Sequence, residues 1–90
     1  MKTIYKFPIF TDDVQKISVP KGAKILCVQN QFGTPCVWAV VDPNEKRKED
    51  ITVHTFGTGH PIENYSPGGY IGTYQLQDGG LVFHVFNFNN

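Results

Sequence analysis

The sequence lacks several features that mark common classes of protein. It has only two cysteines, Cys27 and Cys36, and their separation matches neither a metal-binding spacing nor a disulfide framework. No apolar run approaches the ~18 residues of a membrane-spanning helix. The N-terminal "MKTIYKF" also lacks the apolar stretch of a signal peptide. We therefore expect a cytoplasmic protein with reduced thiols and no association with membranes.

Basic residues are missing from the second half of the chain. All eight lysines and arginines lie at or before Lys48, and the segment 51–90 is charged only at Glu63 and Asp78. The formal net charge is +0, so nothing global attracts the protein to a nucleic-acid polymer. The chain also has one Trp, four Tyr and seven Phe. An aromatic, nearly uncharged half is typical of a core or an interface, and it predicts a homo-oligomer, a dimer or higher.

The alternation of apolar and polar residues predicts about seven short strands and no helix. The predicted segments are 3–7, 14–19, 23–31, 35–42, 51–56, 70–76 and 81–88. Turn residues such as Phe32-Gly33 and Asp78-Gly79 indicate hairpins between neighbouring segments. Because 90 residues support one modest core, we expect a single domain spanning 1–90. The expected fold is all-β, a small antiparallel β-sandwich or a partly open barrel.

Two of the predicted strands are apolar on both faces. The segment 35–42 is therefore expected in the middle of the sheet, covered on both sides. The segment 81–88 has the same character at a chain terminus, which indicates either insertion into the middle of the sheet or pairing across a dimer. Gly72 interrupts a strand pattern, and this predicts a bulge or a close approach of another backbone or a ligand.

The stretch "FGTGHPI" offers one candidate binding site. Gly57 and Gly59 permit a positive φ and leave backbone N–H groups unshielded, so the loop can form a nest for a phosphate or a carboxylate. Thr58 adds a hydroxyl donor, and His60 adds a donor or a cation. The alternative is a tight turn in which His60 caps a backbone carbonyl, and the residues alone favour that alternative.

Aromatic and amide side chains elsewhere suit a planar ligand. Tyr70 and Tyr74 share a strand face and can stack on a ring, although core packing is the alternative for at least one of them. The amide of Gln29 can bond the edge of a nucleobase, and Phe32 and Trp38 can stack on its face. The full set of predicted ligand-binding residues is Gly57, Thr58, Gly59, His60, Tyr70, Tyr74, Phe32, Gln29 and Trp38.

The sequence gives little support for catalysis or for metal binding. No two of the three histidines are spaced as a chelating pair, and no serine stands in a nucleophile-elbow motif. Both cysteines lie in apolar strand patterns, which are typical of unreactive thiols. We therefore expect no metal, no cofactor and no enzymatic activity.

The segments "AKILCVQNQFGTPCVWAVVDP", "TFGTGHPI" and "YIGTYQLQDGGLVFHVF" resemble a family of small phage and prophage proteins. Members of that family are mostly carried as a domain of unknown function, and the resemblance spans nearly the whole chain. Short phage β-proteins of this kind are similar in size to the oligomeric sponges that phages use against bacterial immunity. The resemblance implies a homo-oligomer that sequesters a cyclic dinucleotide or a relative of cyclic ADP-ribose in the host cytoplasm, without cleaving it. Two alternatives stay open: a protein-interaction or virion accessory module with no small-molecule ligand, and an enzyme that cleaves a nucleotide signal with His60 as acid or base.

Overall fold

The computed structural model describes residues 1–63, 65 and 67–88, and that part of the chain contains seven β-strands and no helix. The strands are β1 (Thr3–Pro8), β2 (Val14–Pro20), β3 (Lys24–Gln31), β4 (Thr34–Val41), β5 (Lys48–Gly57), β6 (Tyr70–Leu76) and β7 (Leu81–Phe86). Each predicted segment overlaps one of these strands, so the prediction of an all-β fold with seven short strands is confirmed. The described residues include no helix of the length and apolarity that crossing a membrane requires.

The strands form one mixed sheet with the order β1-β4-β3-β6-β7-β5-β2, which curls into a nearly closed, barrel-like shape. Of the two predicted architectures, the structure is therefore the barrel. All neighbouring strands pair antiparallel except β3 and β6, which are parallel. The β3–β6 joint has a single backbone pair, Val28 with Gly72. A side-chain bond from Asn30 Nδ2 to the carbonyl oxygen of Gln75, at 2.7 Å, adds to it.

Gly72 explains how the two backbones can meet at this joint. β6 has a bulge between Tyr70 and Gly72 where it pairs with β7. A Cβ at position 72 would lie 2.7 Å from both the backbone nitrogen and the backbone oxygen of Val28. Of the alternatives predicted for this glycine, the structure shows a bulge and a close approach of another backbone.

The connection between β1 and β2 crosses the open side of the barrel. These two strands are the ends of the sheet, yet they follow one another in the chain. The backbone N–H of Ile9 donates to the oxygen of Pro35 at 3.0 Å, and the N–H of Thr55 donates to the oxygen of Asp13 at 3.0 Å. These two hydrogen bonds attach the connection to β4, the neighbour of β1, and to β5, the neighbour of β2.

The core lies inside the barrel. Its buried cluster consists of Ile9, Val28, Val37, Val53, Tyr74 and Val85. Tyr74 is 3% exposed, and its hydroxyl is hydrogen-bonded to the hydroxyl of Thr11 at 2.7 Å. Burial raises the pKa of the Tyr74 hydroxyl; the hydrogen bond with Thr11 opposes this effect and the nearby Asp12 carboxylate adds to it.

Both strands that are apolar on two faces lie inside the sheet. β4 lies between β1 and β3, and β7 lies between β6 and β5. The prediction of a central strand at 35–42 is confirmed, and of the two alternatives for 81–88 the structure shows insertion into the sheet. The long connection between β5 and β6 includes Asn64 and Ser66, which lie outside the described residues.

Both predicted hairpins are present, with turns that require positive φ. Phe32 and Gly33 join β3 to β4 with φ angles of 50° and 80°. Gln77 and Asp78 join β6 to β7 with φ angles of 55° and 54°, and the N–H of Gly79 donates to the oxygen of Leu76. Two central residues with positive φ are typical of a type I′ turn. The second turn is therefore centred one residue earlier than the predicted Asp-Gly pair.

Candidate functional site

The outward face of β5, β7 and β6 carries rings and polar groups instead of the charged side chains of an ordinary solvent face. Successive side chains of a strand point to opposite faces, so the neighbours of the buried Val53 and Val85 point away from the core. The strand register aligns these outward side chains in two rows across the three strands: His54, Phe86 and Tyr70, then Phe56, His84 and Thr73.

An aromatic cluster covers part of this face, outside the barrel. Phe88 stacks on Phe86 with ring centroids 5.3 Å apart and an interplanar angle of 17°. The ring of His54 lies 5.2 Å from Phe88, and Phe56 meets Phe86 edge-on at 5.8 Å. Tyr65, from the connection between β5 and β6, contacts both phenylalanines. Phe86 and Phe88 are each 8% exposed, which explains why the segment 81–88 is apolar on both faces.

A cleft of about 540 Å³ opens beside this cluster. Its volume falls within the range of small-molecule sites. Apolar groups, two imidazoles and two carboxylates line it: Val14, Phe56, Pro61 and Phe88, with His54, His60, Asp13 and Glu63. The cleft thus offers both flat apolar surface and hydrogen-bonding groups.

The predicted glycine loop is a turn at the edge of this cleft. The N–H of His60 donates to the oxygen of Gly57 at 3.1 Å, and Gly59 has a φ of 86°. The N–H of Thr58 donates to the backbone oxygen of Val82 at 3.2 Å. The amides of Thr58 and His60, which were expected to bind an anion, are therefore already hydrogen-bonded within the protein. Gly57 does not have a positive φ. Its lack of a side chain instead makes room for the His60 ring, since a Cβ there would lie 2.9 Å from Cε1 and Nδ1.

Thr58 and Tyr70 are the two ends of a hydrogen-bonded chain. The Thr58 hydroxyl lies 2.6 Å from Nε2 of His84, and Nδ1 of His84 lies 3.1 Å from the hydroxyl of Thr73. The Thr73 hydroxyl is in turn 2.6 Å from that of Tyr70. Four side chains on three different segments are thereby linked, and the chain holds the Gly57–His60 turn against the sheet.

The other predicted ligand-binding residues lie apart from the cleft. Tyr74 is in the core, and Phe32 stands at the tip of the β3–β4 hairpin with 99% of its surface exposed. The Trp38 indole N–H donates to the backbone oxygen of Gln29 at 3.3 Å, on the outward side of β4 and β3. Of the nine predicted residues, His60 lines the cleft.

Sequence reasoning missed most of the lining. His54, Phe56 and Phe88 share one outward face, and that alternation was visible in the sequence. Asp13 and Glu63 join them only because β2 pairs with β5 and the connection after β5 folds back. Neither event leaves a local pattern.

The histidines and carboxylates of the cleft are not arranged as a metal site. Within residues 1–63, 65 and 67–88, no three His, Cys, Asp or Glu side chains lie close enough together to hold a metal ion. Cys27 is half-buried and Cys36 is buried, and both are free thiols.

Comparison with known proteins places the chain in a family without assigning an activity. No curated protein and no solved structure matches it. The model of a family described as "Domain of unknown function (DUF7352)" matches residues 1–90, the whole sequence. This confirms the resemblance to a family of small domains of unknown function, while the phage origin inferred from the same segments stays a prediction. The chain belongs to the DUF7352 family.

Proposed function

We propose that this protein binds and sequesters a small nucleotide-derived molecule in the cleft beside β5, without cleaving it. A cyclic dinucleotide or a relative of cyclic ADP-ribose is the expected class of ligand. The observation that carries the proposal is the combination of a cleft of about 540 Å³ with aromatic walls and polar groups.

The rings of His54 and Phe56 suit a flat ligand. They are stacked along β5 with an interplanar angle of 6° and centroids 6.5 Å apart. That separation is close to twice the roughly 3.4 Å spacing of stacked bases. A nucleobase placed between the two rings would contact both, and stacking of a base on an aromatic ring contributes about 1–3 kcal/mol.

The charged groups favour one orientation of such a ligand. Asp13 and Glu63 accept hydrogen bonds, so they suit the amino edge of a base and repel a phosphate. His60 supplies a donor at the cleft. Lys16 lies two residues beyond Val14 on the same side of β2, and its side chain is exposed. We therefore place the phosphate near His60 and Lys16, and not at the amides of the Gly57–His60 turn.

Thermal-shift and calorimetric titrations with cyclic dinucleotides and ADP-ribose derivatives test the proposal. At a ligand concentration about 100-fold above Kd, binding stabilises the fold by about 2.7 kcal/mol, a rise in Tm of roughly 10–20 °C. Phe56→Ala and His60→Ala should reduce the affinity at least about tenfold, since the first removes a stacking contact and the second removes a hydrogen-bonding contact. Phe32→Ala removes an exposed ring far from the cleft and is the matched control.

Two results would contradict the proposal: no shift with any of these nucleotides at millimolar concentration, or equal affinity in the Phe56→Ala and His60→Ala variants. Recovery of intact ligand from the denatured complex separates binding from the alternative of cleavage by His60. The predicted homo-oligomer is tested in the same samples by light scattering.

A further inference from the structure

The outward face of β1, β4 and β3 is a second unusual surface, on strands that do not line the cleft. Two rows of side chains cross it: Ile4, Val40 and Lys24, then Lys6, Trp38 and Cys27. Ile4 is 56% exposed, and Leu26, at the bulge of β3, is 52% exposed. We call the surface formed by Ile4, Lys6, Lys24, Leu26, Trp38 and Val40 the basic face.

The basic face has positive charge without any compensating negative charge of its own. β1, β3 and β4 contain no aspartate or glutamate. In the part of the chain that the structure describes, one ion pair is present, between Arg47 and Glu45. Lys2, Lys6 and Lys24 therefore have no carboxylate partner there, and a complementary surface carries acidic groups.

β1 also leaves backbone groups available for pairing. It is the first strand of the sheet order, bonded to β4 along one edge and to no described strand along the other. Tyr5 has the parity of the core residues but is 41% exposed, and Ile4 is exposed on the other side. An edge strand with unpaired N–H and C=O groups and exposed apolar side chains is a template for a further strand.

We propose that β1 binds an extended acidic segment of a partner protein as an added β-strand. The backbone of that segment pairs with the free edge of β1, and its apolar side chains lie on the side of Tyr5 and cover it. Its acidic side chains, at alternate positions, lie beside Lys6, on the outward side of β1, and beside Lys2, which directly precedes the strand. Backbone pairing supplies affinity, and the lysines select for negative charge.

Two other occupants fit less well. Pairing of β1 with β1 of a second copy would bring Lys2 and Lys6 of both copies together, and like charges on adjacent strands are destabilising. Single-stranded nucleic acid stacks on aromatic rings, whereas the most exposed apolar groups of the basic face, Ile4 and Leu26, are aliphatic. The combination of aliphatic contact and lysines favours an acidic peptide.

The test uses the full chain and a synthetic peptide of about eight residues alternating valine and glutamate. Binding is followed by fluorescence anisotropy, and by hydrogen exchange of the Thr3–Pro8 amides, whose protection should increase. The double variant Lys2→Glu, Lys6→Glu should bind at least about tenfold more weakly, because two attractive contacts become repulsive. The double variant Lys46→Glu, Lys48→Glu has the same charge change outside β1, at two exposed lysines, and should bind like the unmodified protein.

Several outcomes would overturn the inference. If a peptide with lysine in place of glutamate bound equally well, the lysines of β1 would not select for negative charge. Unchanged hydrogen-exchange protection of the β1 amides would exclude strand addition. Binding of oligothymidine or of phosphatidylserine vesicles in preference to the peptide would assign the basic face to nucleic acid or to lipid. Self-association that the double variant leaves unchanged would assign the edge to a second copy.

Discussion

The joint between β3 and β6 depends on the absence of one side chain, and Gly72→Ala tests this directly. The added Cβ would lie 2.7 Å from the nitrogen and from the oxygen of Val28 and 2.8 Å from its Cβ. Two of these three contacts are with backbone, so no side-chain rotation relieves them. Overpacking of this kind costs about 1–3 kcal/mol and occasionally more. We expect the upper end of that range, because the strands share one backbone pair that the shift would break.

The effect is large compared with the stability of the domain. Small proteins have free energies of unfolding of about 0.05–0.15 kcal/mol per residue, so a loss of about 3 kcal/mol removes a substantial fraction. The expected fall in Tm is roughly 12–24 °C. Urea unfolding followed by circular dichroism and by Trp38 fluorescence measures the loss, and coincidence of the two transitions tests two-state behaviour.

Gly80→Ala is the matched control for this substitution. Its added Cβ would lie 3.3 Å from the oxygen of Gln77, with the next neighbour at 4.0 Å. We expect a change of less than about 1 kcal/mol in the free energy of unfolding, in the range of a mild contact. If Gly72→Ala is no more destabilising than Gly80→Ala, the account of the β3–β6 joint is refuted.

Three further predictions concern stability. Thr55 has a buried hydroxyl without a hydrogen-bond partner among the described residues, so Thr55→Val should raise the free energy of unfolding by about 1 kcal/mol. Urea titration measures this, and a lowered midpoint would contradict it. Phe32 holds a φ of 50° at the first central position of a type I′ turn, which asparagine tolerates better, so Phe32→Asn should raise the stability by about 0.5–1 kcal/mol. A Tm at or below that of the unmodified protein would count against this reasoning. Burial raises the pKa of Tyr74 above its ordinary value of 10.0, so the unfolded chain ionises first and the free energy of unfolding should fall as the pH rises above 10.0. Tyr74→Phe should flatten that decline in alkaline thermal melts, and an equally steep decline in the variant would exclude Tyr74 as its source.

Alternation and turn chemistry were sufficient to predict the strands and the two hairpins. They showed that 35–42 and 81–88 are apolar on both faces, as is typical of strands inside a sheet, and the strand pattern around Gly72 indicated a bulge or a close backbone approach. These features can be predicted locally, because the alternation of side chains and the turn residues both lie within short consecutive segments of the sequence.

The order of the strands and the composition of the cleft were beyond this reasoning. Alternation predicts which side chains of one strand share a face, but it does not predict which other strand pairs with that strand. The parallel pair of β3 and β6, and the meeting of Asp13 with His54, arise from pairings between distant segments. For the same reason, residues chosen by side-chain type, such as Tyr74 and Phe32, are found at separate places in the molecule.

The position of β2 in the chain has a consequence for how this protein is made. β2 emerges between β1 and β3, but its neighbour in the sheet is β5, and the neighbour of β1 among the described strands is β4. During synthesis, Ile17 and Val19 must stay exposed until the ribosome has released residues beyond 57. Cleavage at any one connection between strands would separate at least one pair of neighbouring strands. Because most strand pairs join distant segments, we expect folding to be cooperative, to begin late in synthesis and to be slow for so short a polypeptide.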